Sequence, residues 1–236
     1  MHAGSQKYRY TPTDSVVAVL ASESLLVIPL SLVELYTGQQ SYVSRVCGLS
    51  RKLPIVKVDE NTWIASNAEL VFGCDIEFTE TVGRELALRL KDRDVECLLV
   101  PEVKGIPIAY AIARNLGHKI FSVARKSVKS YMEAPIISEE MKSITTKGTQ
   151  KLVLDRINIE RIRNKRVAVV DDVVSTGGTI KASRNLVAKA NAELICAAVV
   201  WMEGPDYTAK DIIYLEKLPI FVAKEKYDLL KASKSS

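Results

Sequence analysis

From about residue 41 onward, short apolar runs alternate with stretches in which apolar residues recur at helical spacing. Val82, Leu86 and Leu90 stand four residues apart behind Thr79, which predicts one buried face of a helix with Thr79 as its N-cap. The run CLLV at 97–100 is short and wholly apolar, the pattern of a strand buried on both faces. Pro107 then falls where a first helical turn tolerates proline, Ile108, Ile112 and Leu116 form a stripe with Ala109 and Ala113, and Gly117 ends it. Further strands are predicted at 119–124, 152–154, 167–170 and 194–200, with a helix over about 178–190 between the last two. Strand alternating with helix predicts an α/β fold, an open parallel sheet with helices on both faces. Such sheets bind ligands beyond the carboxyl ends of their strands.

The first 40 residues do not share this rhythm. Residues 15–35 are apolar enough to raise a membrane span, but Glu23, Pro29 and Glu34 interrupt them. Only Lys7 and Arg9 stand ahead as a positive region, and no small-residue cleavage site follows, so a packed extension or subunit contact is expected over 1–40. Composition narrows the class further. Of 236 residues, 47% are hydrophobic and 26% charged, which suits a globular domain and excludes disorder over most of the chain. The net charge of +5 is spread along the chain, a distribution that suits an anionic small ligand and argues against nucleic acid. Four cysteines form no CxxC, and Cys97 and Cys196 sit in apolar runs, so a reduced cytoplasmic protein without zinc or disulfides is expected.

The chemistry concentrates at 166–179, RVAVVDDVVSTGGT. An apolar strand runs into Asp171 and Asp172, then into Ser175, Thr176, Gly177, Gly178 and Thr179, which open the predicted helix. Glycines let successive N–H groups curl inward, and the helix start adds partial positive charge, so the turn is a phosphate cradle. It is not the nucleotide P-loop, because GxxxxGK[ST] is absent. Adjacent carboxylates ahead of a monophosphate cradle can accept from the 2′ and 3′ hydroxyls of a ribose, so the site is shaped for a ribose 5-phosphate.

VAVVDDVVSTGGT resembles the phosphoribosyl-pyrophosphate (PRPP) motif of type I phosphoribosyltransferases, and the order of elements extends that resemblance over roughly 45–222. Within the family the chain looks most like the adenine group. The resemblance implies that Asp171 and Asp172 contact the ribose and that Ser175 to Thr179 hold the 5-phosphate. It also implies a pyrophosphate loop at Glu102, Val103, Lys104 and Gly105, where lysine stands for the more frequent arginine, and a second pyrophosphate contact at Arg125 and Lys126. A small hood over about 41–75 would cover a purine, with Arg51, Pro54 and Ile55 as its weakest-matching candidates. The aperiodic stretch 126–150 would be a lid. Mg2+ held mainly by substrate and water, and a homodimer, are further implications.

The adenine group carries a glutamate in that lid, near the departing base proton. Here the segment reads SITTKG at 143–148, so Glu139 or Glu140 must replace it, or the mechanism manages without it. No lysine lies between Trp201 and Tyr207 to meet a 6-oxo group, which favours adenine over hypoxanthine or xanthine. A rival reading is a PRPP-sensing regulator: purine operon repressors are similar around KGIPIAYAIARNLG, but the first 40 residues show no helix-turn-helix period.

Overall fold

The computed structural model describes residues 16–21, 24–29, 32–142, 149–204 and 211–232. A hairpin of β1 (Val16–Ala21) and β2 (Ser24–Pro29) comes first, followed by β3 (Val33–Leu35), β4 (Ser41–Val46), β5 (Leu49–Asp59) and β6 (Thr62–Ala65). Helix and strand then alternate through α1 (Ile76–Leu90), β7 (Cys97–Pro101), α2 (Ile106–Leu116) and β8 (Ser122–Ala124). After β9 (Ile137–Lys142) and β10 (Thr149–Leu154), the alternation resumes with α3 (Arg156–Ile162), β11 (Arg166–Val174), α4 (Gly178–Lys189) and β12 (Glu193–Glu203). The chain continues with β13 (Ile212–Leu218), β14 (Ile220–Val222) and α5 (Lys224–Ala232).

The central sheet has the order β13-β12-β11-β7-β8, and every pairing in it is parallel. Side chains that alternate along its strands divide the core in two. Leu98, Val100, Ala168, Val170, Ala198 and Val200 pack with α1 and α2 on one face, while Leu99, Val167, Val169, Ala197 and Val199 pack with α3 and α4 on the other. Strands buried on both faces are why these runs read as uniformly apolar. A second sheet, β3-β14-β6-β5-β4, is antiparallel except where β14 meets β3. Thus β3, from the stretch read as an extension, is one edge of the hood sheet.

Helix α1 starts four residues before the position expected from its stripe. Asp75 is the N-cap, its side chain accepting from the Phe78 N–H at 2.8 Å. Arg51 donates to the same carboxylate at 2.5 Å, which fixes that cap, and Thr79 instead donates its hydroxyl to the Asp75 carbonyl at 2.9 Å. The aperiodic stretch expected to be a lid carries β9, which pairs antiparallel with β10 in a ribbon, Ile137 opposite Leu154 and Lys142 opposite Thr149. Residues 143–148 lie outside the described residues. His118 is half-buried behind the end of α2. Phe221 is 1% exposed and meets Tyr42 edge-on. No described helix is long and apolar enough to cross a membrane.

Candidate active site

Strand β11 carries Asp171 and Asp172 near its carboxyl end, both buried, and beyond Val174 the chain turns through Ser175 and Thr176 into α4. Gly177 makes this turn with φ +78°, the left-handed region that favours glycine, and no side chain caps the helix. The first N–H groups of α4 therefore face the loop, the arrangement that receives an anion. A cavity of about 740 Å³ opens here, lined by the acid pair and residues 175–180 on one side and, on the other, by residues 56–59 and 64–65 of the second sheet and 66–68 directly after β6. Glu102, Val103, Lys104 and Lys126 complete the wall beyond β7 and β8.

Within it, charge is already organised. Lys104 donates to Asp172 Oδ2 at 2.5 Å, and Asn67 Nδ2 donates to the same oxygen at 2.7 Å. Lys104 also donates to Asn67 Oδ1 at 3.1 Å, so a cation, an amide and a carboxylate from three separate elements form one network. Asp171 accepts from the Asp172 N–H at 3.0 Å. Burial and the neighbouring Asp172 charge push the Asp171 carboxyl well above the usual carboxylate range.

The sequence reading missed Glu203. It stands at the end of β12, 7% exposed, and lines the cavity. Burial pushes its carboxyl up to about 7, against the opposing pull of Lys104 and a hydrogen bond from the Ser175 hydroxyl. Its signal in the sequence was an acid directly after a nine-residue apolar stretch, Leu194 to Met202, at the carboxyl end of a central strand. Asn67, the other omission, had no motif around it.

The predicted residues divide into those gathered at the cavity and those placed elsewhere. Arg125 lies beside it: its side chain reaches Glu102 at 3.2 Å and the Tyr131 hydroxyl at 2.7 Å, and its backbone bridges to Val153 of β10. Glu102 also accepts from the Lys126 N–H at 2.9 Å. Gly105 is required by the protein's own packing, since a Cβ there would stand 2.9 Å from Val100 Cγ2 and 3.1 Å from Asp171 Cα. Arg51 is bound to Asp75 and Glu77 at the start of α1, while Pro54 and Ile55 pair with Ser41 and Ala65 within the hood sheet. Glu139 is tied to Lys189 at 2.5 Å and Asn185 at 3.0 Å on α4, and Glu140 lies 3.8 Å from Lys151. The segments 143–148 and 205–210, on which the base arguments partly rest, lie outside the described residues.

An open parallel sheet whose central strand carries an acid pair to a glycine turn and an uncapped helix start, facing a second β sheet, defines an α/β fold with its ligand site beyond the carboxyl ends of the strands. Residues 84–228 match the model of the phosphoribosyl transferase domain, and the chain belongs to that family. It is 32% identical over 135 residues to adenine phosphoribosyltransferase 1 of Triticum aestivum, covering 57% of this chain and 68% of that one. It is 25% identical over 150 residues to the xanthine phosphoribosyltransferase of Alkaliphilus metalliredigens, covering 64% and 73%. The crystal structure of adenine phosphoribosyltransferase from Thermoanaerobacter pseudethanolicus shares the fold, with a TM-score of 0.54 at 22% identity over 76% of this chain and 96% of that one.

Proposed function

We propose that this chain transfers the 5-phosphoribosyl group of PRPP to a purine, adenine by preference, releasing pyrophosphate. The observation that carries the reading is the joining, in one cavity, of the acid pair, the uncapped start of α4 and a second wall from the hood sheet. The α4 loop is sized for the 5-phosphate, Asp171 and Asp172 for the ribose hydroxyls, and Lys104 with Lys126 for the pyrophosphate charge. As the C–O bond to pyrophosphate breaks, negative charge grows on the leaving oxygens. Each preorganised donor in a closed site contributes about 3 kcal/mol toward holding it.

Among the described residues no three metal-ligating side chains converge, but two adjacent carboxylates at the ribose position suit Mg2+ carried mainly by substrate and water. Asp171 and Asp172 would be its nearest protein partners. When bound, the ion neutralises pyrophosphate charge. Adenine is favoured by the lack of a lysine from Trp201 to Gly204. An exocyclic amino group needs an acceptor there, whereas a 6-oxo group needs a donor. The xanthine enzyme among the relatives keeps a 6-oxopurine as the second reading.

The test is incubation with PRPP, Mg2+ and adenine, hypoxanthine, guanine or xanthine in turn, with nucleotide formation measured. AMP from adenine at the highest kcat/KM is expected. A higher value for hypoxanthine or xanthine overturns the choice of base, and no nucleotide from any base overturns the transfer itself. A dimer in solution, read by light scattering, belongs to the same proposal.

A further inference from the structure

Among the described residues five carboxylates line the cavity, Asp59, Glu102, Asp171, Asp172 and Glu203, and four of them are bound to backbone groups, cations or amides. Asp59 accepts from the Asn61 N–H at 2.8 Å. Glu102 holds the Lys126 N–H and Arg125. Asp171 and Asp172 are bound within the ribose pair and to Lys104 and Asn67. Glu203 remains. Neither acid of the ribbon competes for its part, because Glu139 and Glu140 do not line the cavity and are paired with Lys189 and Lys151.

The orientation of Glu203 follows from its strand. It shares a face of β12 with Trp201, whose indole N–H donates to Ser44 of β4 at 3.0 Å, so that face looks toward the hood. Its backbone is locked by pairing with Leu218, and the Gly204 N–H donates to the Leu218 carbonyl at 2.9 Å. The polar groups facing the carboxyl are Ser175 and Asp172 from β11 and its loop, and Lys104 from the loop after β7. The neighbours from β13 and β14, Leu218 and Ile220, are apolar.

We propose that Glu203 is the carboxylate that takes the ring proton from the acceptor base, with Ser175 holding it in place. The inference rests on the phosphoribosyl-transfer reading and deepens it. The ring nitrogen forms the bond to the ribose anomeric carbon, and the C–O bond to pyrophosphate breaks with its electron pair leaving on pyrophosphate. The N–H pair stays with the ring, the proton passes to the Glu203 carboxylate, and the carboxylic acid returns it to water after the nucleotide leaves.

The test compares wild type, Glu203→Gln, Glu203→Asp and Ser175→Ala in the full chain, with PRPP affinity from calorimetry and pH profiles of kcat/KM for the base. Glu203→Gln should bind PRPP like wild type, lose about 100-fold or more in kcat, and lose the rise in rate across neutral pH. Glu203→Asp should keep that rise, whatever the depth of its kcat loss. Ser175→Ala removes a donor that favours the ionised form, so its rise should move to higher pH. PRPP ionises identically in every arm, so differences between variants belong to the protein. A Glu203→Gln enzyme within threefold of wild type, or one that keeps the rise, overturns the assignment and leaves transfer standing. A wild type that binds PRPP but makes no nucleotide from any base overturns both.

Discussion

Lys104 and Asn67 converge on one oxygen of Asp172, so an incoming ribose hydroxyl either takes the other oxygen or competes with the lysine. An amide at this position keeps the shape but accepts at only one atom. Asp171→Asn and Asp172→Asn should therefore fold and yet lose tenfold or more in kcat/KM, measured by steady-state kinetics with PRPP varied. Glu203 gives a second prediction that needs no turnover. Its folded pKa stands near 7 against an ordinary value of 4.5, so the folded state binds the proton more tightly than the unfolded chain does. The resulting stability is complete below about pH 4.5 and is lost as the pH rises through 7. Glu203→Gln escapes that loss. At pH 8 it should exceed wild type by about 3 kcal/mol in urea unfolding, with the gap shrinking toward pH 5. A gap that does not depend on pH would contradict the buried, ionising carboxyl.

Elements bring these groups together by approaching one another more closely than side chains permit. Gly105 has φ −72°, an ordinary value, so space and not backbone freedom demands glycine there. Gly105→Ala must push the start of α2 off β11, because the obstacles are Asp171 Cα at 3.1 Å and the Val170 carbonyl at 3.2 Å. A loss of about 1–3 kcal/mol in unfolding free energy is expected, together with weaker PRPP binding by calorimetry, since the same shift moves the acid pair. The ribbon of β9 and β10 is pinned to α4 by Lys189, which bonds Glu139 and, at 2.9 Å, the Ser138 carbonyl. Lys189→Ala should speed hydrogen exchange in 137–142 and 149–154, and saturating PRPP with Mg2+ should slow it in wild type. Strand β7 and helices α2 and α4 were legible within about a residue, because a strand covered on both faces and an apolar stripe leave clear patterns, whereas β8, β11 and β12 were located with one end three or four residues off. Of the ribbon only 152–154 was legible: ISEEMK carries few apolar residues, and its two strands pair with each other, with a single further bridge from Val153 to Arg125. Arg51 was misleading for a related reason, since its partners Asp75 and Glu77 lie more than twenty residues away and no local pattern announces them.

For the molecule as a whole, the cavity draws one wall from each sheet, so binding across it couples the two. PRPP at 100 times its Kd should add about 2.7 kcal/mol to folding stability by mass action, read as a rise in Tm that adenine alone does not reproduce. The two tryptophans divide along the same line. Trp201 is fully buried in the central sheet and stacked on Phe78 at 5.4 Å, whereas Trp63 lies half-buried in the hood sheet, stacked on Tyr36 at 4.0 Å with Lys57 above it. Dry and wetter indoles emit at different wavelengths, so the protein carries its own two-colour optical gauge: red-edge emission follows the hood sheet while blue-edge emission follows the central one. A base that closes the hood should change the first and leave the second still, and a Trp63→Phe variant, silent at the red edge, would assign each colour to its sheet.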